Sequence, residues 1–136
     1  MIKPINRNTA SLSQKAVKAT KADAQVTTDL LDTLKAHQAD CVGMAANMIG
    51  VNKRIIVFQM GLLPVPMVNP IITKKTDAYS TKEGCLSLLG ERPTTRYKQI
   101  EVAYQDQNFV PHTQKFSDWI AQIIQHEVDH CDGILI

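Results

Sequence analysis

The run His126-Glu127-Val128-Asp129-His130 carries the clearest chemical signal in the sequence. Side chains at i and i+4 of a helix project to one side, so His126 and His130 can bind one metal ion. A shuffled chain of this composition would contain His-Glu-x-x-His only roughly once in 300, so chance is a poor account of the motif. Glu127, between the histidines, is placed to take a proton from metal-activated water and pass it to a leaving group. Two imidazoles do not complete a catalytic site, which calls for a third protein ligand and an open position. Cys85, Cys41, Cys131, His37, His112 and several carboxylates are candidates. Cys85 stands apart because Glu83-Gly84-Cys85-Leu86-Ser87 sets it behind a glycine in a short segment. There a thiolate and free backbone N–H groups can face one point.

Such a constellation needs elements to hold it. Ser117 with Asp118 makes a helix start, and Phe116, Ile120, Ile123, Ile124 and Val128 recur at helical spacing, so a buried C-terminal helix carries the histidines. Near the other end, one helix is expected to begin at Ser11 or Ser13. A second, entered near Asp23 or Thr27, sets Val26, Leu30 and Leu34 on one face. Cys41 to Gly50 is small and apolar and reads as a tight loop. Arg54 to Gln59 reads as a buried strand, Gly61 to Pro66 as a turn-rich connection and Met67 to Thr73 as extended. Gln99 to Gln105 alternates, with Ile100, Val102 and Tyr104 on one face. The pattern predicts an α+β fold: N-terminal helices, small and mostly antiparallel sheets, and the buried C-terminal helix.

With 136 residues, 44% apolar and 21% charged, residues 1–136 are expected to fold as one domain with a core that needs no staples. The odd count of three cysteines at wide spacing argues against a disulfide framework. A net charge of +2 without a basic run gives no nucleic-acid signal. No stretch approaches the ~20 apolar residues of a membrane span, and Met1-Ile2-Lys3-Pro4 lacks a signal-peptide core, so a cytoplasmic location is expected.

Three segments resemble the peptide deformylase family, which is recognised by a Gly-x-Gly-x-Ala-Ala-x-Gln loop, a Glu-Gly-Cys-Leu-Ser strand and a Gln-His-Glu-x-Asp-His helix. The corresponding runs are Cys41-Val42-Gly43-Met44-Ala45-Ala46-Asn47-Met48, Glu83 to Ser87, and Gln125 to His130. The last two match in full, and Asn69-Pro70 and Gly133 are also similar to the family. The resemblance implies that Cys85, His126 and His130 hold one divalent metal, usually ferrous iron (Fe2+), with Zn2+, Ni2+ or Co2+ able to replace it. It implies that Glu127 is the general base and acid, and that the substrates are N-formylmethionyl peptides or nascent chains, which yield formate and a free N-terminal Met. The oxyanion donors implied are the backbone N–H at Leu86 and the side-chain amide of the motif's glutamine. Val42, Trp119, Gln122 and Ile123 correspond to the methionine pocket, and Gly43 and Gly84 to backbone that pairs with an extended peptide.

Three departures qualify what the resemblance implies. Met48 replaces the glutamine, and a thioether has no proton to give an oxyanion. Losing one such donor typically costs about 10²- to 10³-fold in turnover. Cys41 replaces the first glycine and is either packing or a second thiol near the site. The family commonly continues past the metal helix, whereas this sequence ends six residues after His130, which leaves ribosome contact through such an extension an open expectation. Two readings follow: a deformylase with activity lowered by Met48, or a deformylase-like protein that binds metal and peptide N-termini with little or no turnover. An unrelated His-Glu-x-x-His protease leaves Glu83 to Ser87 unexplained.

Overall fold

The structure, a computed structural model, describes residues 1–136. An extended N-terminal segment leads into one helical turn, α1 (Thr9–Leu12), then a 3-10 turn over Lys21–Asp23 and the helix α2 (Ala24–Ala36). α1 starts earlier than its serines suggest, because Asn8 is the cap: its side-chain oxygen accepts from the N–H groups of Ala10 at 3.0 Å and Ser11 at 3.3 Å. Asn fills this role as well as Ser does. On α2, Leu30 and Leu34 are fully buried, as the spacing predicts, and Val26 is half-buried.

Five strands follow: β1 (Gly43–Ala45), β2 (Ile55–Met60), β3 (Leu63–Cys85), β4 (Leu88–Gln105) and β5 (Pro111–Ser117). They pair in chain order, all antiparallel, so the expected β elements join in one five-stranded sheet. The helix α3 (Asp118–Cys131) completes the α+β fold. β2 is buried on both faces, which explains its unbroken apolar run. Ile56 and Phe58 pack towards α3 with Ile100, Val102, Phe116, Ile123 and Ile124. Ile55 and Val57 pack the other way, with Leu30 and Leu34 of α2, Met44 and Met48.

Several local expectations change. Cys41 to Gly50 is not only a loop: Gly43 to Ala45 pairs with β2, and a 3-10 turn over Ala46–Ile49 follows. The connection after β2 is also tighter than its Gly and Pro content suggests, since Leu63 to Pro66 already pair with Val57 to Met60. Phe116 lies on β5, ahead of the helix, yet reaches the same core, its ring edge-on to Phe58 with centroids 6.1 Å apart. Ser117 sits at the N-cap of α3 without a side-chain capping bond.

Two features of the fold deliver the chemistry. Register irregularities between Val68 and Ile71, Ile72 and Lys74, and Gly84 and Cys85 interrupt the β3–β4 hairpin. Such bulges bend strands, and the end of β3 comes to lie against α3. The C-terminal end of α3 is finished by a Schellman cap: Gly133 N–H donates to His130 C=O at 3.1 Å and Ile134 N–H to Asp129 C=O at 2.9 Å. Gly133 has φ +75, and a Cβ there would lie 2.4 Å from the Ser13 carbonyl oxygen. Ala16 N–H donates to Cys131 C=O at 2.8 Å, so the N-terminal segment closes off the ligand helix directly after His130. No helix is long and apolar enough to cross a membrane.

Candidate metal centre

The ligand atoms of Cys85, His126 and His130 all lie within 4.8 Å of one another. His130 Nε2 is 3.3 Å from Cys85 Sγ and 3.3 Å from His126 Nε2. The other sequence candidates for a third ligand do not join this cluster, although Cys41 lines the same cleft. Cys41 donates to Gly43 C=O at 3.0 Å, and burial pushes its thiol up to about 12. Cys131 is buried in the core, His112 pairs with Asp106, and His37 caps α2.

Glu83 sets the orientation of His126. Its Oε1 lies 2.8 Å from His126 Nδ1, and a carboxylate accepts, so Nδ1 carries the proton and Nε2 turns a lone pair to the cluster. Arg96 grips Glu83 through Nη2 at 2.7 Å and through Nε at 3.1 Å and 3.0 Å to the two oxygens, and its Nη1 reaches Asp129 at 2.6 Å. Burial works against charge on Glu83, but its bonds to His126, Arg96 and Gln122 hold the carboxyl down at about 2. Gln125 fastens α3 to β4, its amide bonding the backbone N–H and C=O of Tyr97 at 2.9 Å and 2.8 Å.

A soft thiolate and two imidazole nitrogens, one of them oriented by a buried carboxylate, fit a single divalent cation. Ser87 N–H, 3.4 Å from Cys85 Sγ, adds a donor suited to a thiolate. Burial also works against charge on His126, yet its bonds to Cys85 and Glu83 raise it to about 10, while burial and the neighbouring His126 depress His130 to about 3. The three donors offer a single site that can hold one metal ion.

Glu127 stands beside that site and is buried, with Oε1 lacking any protein partner. Burial raises it to about 7. Its place depends on Gly43: a Cβ there would be 2.8 Å from Ile123 Cγ2 and 2.9 Å from Glu127 Oε2. A cleft of about 610 Å³ opens over these groups, lined by Val42, Gly43, Met48, Glu83, Gly84, Cys85, Leu86, Trp119, Gln122, Ile123, His126 and Glu127. His130 lies behind them, fully buried. Trp119 is 57% exposed and Val42 40%, so both are cleft walls, whereas Ile123 serves the core as well.

At the first motif, Met48 Sδ takes the N–H of Ala45 at 3.5 Å and packs in the core. Asn47 does not substitute for the missing amide, because its Nδ2 is turned away to donate to His130 C=O at 2.9 Å. Leu86 N–H has no acceptor within the protein. Sequence reasoning missed the Glu83–Arg96–Asp129 system and the use of Gln122. The usable signal was that a glutamate beside a ligand cysteine, if buried, demands a cationic partner.

The family model described as polypeptide deformylase matches residues 2–136. A peptide deformylase of Clostridium beijerinckii is 57% identical over 136 residues, covering 100% of both chains. Peptide deformylase 1 of a Nostoc species is 36% identical over 134 residues, covering 91% of this chain and 71% of its own. Among solved structures, a class I type b peptide deformylase from Acinetobacter baumannii with Met-Ala-Ser bound superposes with a TM-score of 0.89 at 25% identity, covering 99% of this chain and 97% of that one. With the family's ligand triad assembled in the fold and the match running from end to end, this chain belongs to the peptide deformylase family of metal-dependent hydrolases.

Proposed function

We propose that the substrates are N-formylmethionyl peptides or nascent chains, that Cys85, His126 and His130 hold ferrous iron, and that Glu127 moves the proton. The observation that carries this reading is the buried Glu127 standing beside three converging metal donors at the floor of a cleft. A bound metal supplies a Lewis acid that polarises a carbonyl and acidifies water. Glu127 takes the proton of the attacking water at its carboxylate and returns it to the departing amine, and a group shifted towards neutrality suits both tasks. Leu86 N–H donates to the developing oxyanion. The peptide lies extended between Gly43, on the edge strand β1, and Gly84, where β3 pairs only with β4. This is strand addition to two open edges. Val42, Trp119, Gln122 and Ile123 enclose the unbranched methionine side chain, with Met48 closing the inner end. Met-Ala-Ser in the Acinetobacter baumannii relative is a peptide of the kind this reaction leaves.

Met48 favours a second reading, in which metal and peptide bind but turnover is weak or absent, because it removes one oxyanion donor. Both readings meet in one assay: formate release from formyl-Met-Ala-Ser by iron- or nickel-loaded protein, beside a Met48→Gln variant. Release by the parent eliminates the binding-only reading. A gain in Met48→Gln, up to the roughly 10²- to 10³-fold value of one donor, assigns the attenuation to the oxyanion site. No release by either protein, with one metal held by each, refutes the deformylase reading for this peptide.

A further inference from the structure

We infer that Gln122 is a positioning residue of the metal centre as well as a wall of the methionine pocket, acting through Glu83 on the ring of His126. The inference rests on the reading of Cys85, His126 and His130 as ligands. Gln122 lies one helical turn before His126 and lines the cleft, so its amide would be expected to face substrate. Instead both ends of it are committed. Nε2 donates to Glu83 Oε2 at 2.9 Å, and Oε1 accepts from the Tyr79 hydroxyl at 3.2 Å. An ionised carboxylate only accepts, so the amide must present nitrogen to Glu83, and the Tyr79 hydroxyl matches the oxygen left at the other end.

The geometry at Glu83 assigns Gln122 a particular task. Arg96 Nε sits almost equally far from the two carboxylate oxygens, at 3.1 Å and 3.0 Å, so on the Oε2 side its fork contributes only a shared, three-centre contact. Arg96 Nη2 and His126 Nδ1 both load Oε1, at 2.7 Å and 2.8 Å. Oε2 has Gln122 as its one partner besides the shared Nε. Without that amide Oε2 keeps only the shared Nε, so the carboxylate is held less firmly in its fork and the acceptor of His126 gains freedom with it. The imidazole then loses its fixed direction towards Cys85 and His130. Losing an outer partner of this kind typically lowers metal affinity about 10- to 100-fold. One side chain thus touches the substrate pocket on one side and steadies a metal ligand on the other.

The test compares zinc-loaded parent, Gln122→Met and Tyr79→Phe. Methionine keeps an unbranched wall of similar length and removes only the amide; Tyr79→Phe leaves the cleft untouched and removes the bond that orients the amide. Zinc transfer to a chelating dye should be about 10- to 100-fold faster from Gln122→Met, with Tyr79→Phe shifted in the same direction by less. The nitrogen-15 resonance of His126 Nδ1 should move in both, a change that loss of stability alone would not produce. Equal zinc release from parent and Gln122→Met, with an unmoved His126 signal, overturns the inference. If Gln122→Met does not fold, Tyr79→Phe decides, and release at the parent rate with an unmoved signal counts against it. Cys85→Ala separates the two layers: zinc kept by that variant refutes the ligand reading, whereas its loss there beside equal release from Gln122→Met refutes only the role given to Gln122.

Discussion

Glu127 and Met48 pull the chemistry in opposite directions. Glu127 combines burial, an unpartnered oxygen and a place in the cleft, whereas Met48, on the proposed reading, offers sulfur where a donor is wanted. Replacing Glu127 by Gln keeps the shape and removes the base, so kcat should fall by about 10²- to 10⁴-fold. Metal content should stay at one equivalent, because Glu127 is not among the three donors. Steady-state formate release and metal analysis of the same preparation check both halves; unchanged kcat would exclude Glu127 as the proton carrier. At this scale the sequence was informative: two histidines at i, i+4 and a cysteine behind a glycine are the three residues that converge. It was silent about Arg96, since nothing in Thr94-Thr95-Arg96-Tyr97 distinguishes a buried guanidinium from a solvated one. Only the packing of the β3–β4 hairpin against α3 sets that arginine against Glu83 and Asp129.

Among the elements, β1 packs on α3 with no room for a side chain at Gly43. Gly43→Ala puts a methyl group 2.8 Å from Ile123 and 2.9 Å from Glu127, inside any normal contact. Overpacking of this kind costs about 1–3 kcal/mol, and shifting a reacting group by an ångström can cost about 10²-fold in rate. Denaturant midpoint and kcat should therefore fall together, and a variant that loses neither would show that α3 yields freely there. The legibility of the elements follows their burial. β2 and α3 were readable because β2 is covered on both faces and α3 carries a long apolar stripe. β1 was not, because three small residues become a strand only through the partner that β2 supplies. The middle of β3, from Thr73 to Ala78, is exposed throughout. It carries no inside-outside alternation to read and is held by cross-strand pairing.

For the whole molecule, the metal is a stabilising partner as well as a reagent. On the proposed reading its ligands come from the end of one long strand and from the last helix, so a cation held between them would tie the hairpin to α3. A ligand at a hundred times its Kd adds about 2.7 kcal/mol, which for a chain of this size corresponds to a rise in Tm on the order of 10 °C. Chelation should lower Tm by that amount in calorimetry and restoring zinc or nickel should recover it; an indifferent Tm would mean that the site binds folded and unfolded chains alike. The contact of Gly133 and Cys131 with Ser13 and Ala16 has a further consequence, in time as well as in energy. It joins residues near the two extremes of the sequence, and contacts that close so long a loop are entropically costly and slow folding. The backbone that ends the helix carrying His126 and His130 thus rests on a long-range closure of the chain, so that on the proposed reading tight metal capture depends on that closure being complete.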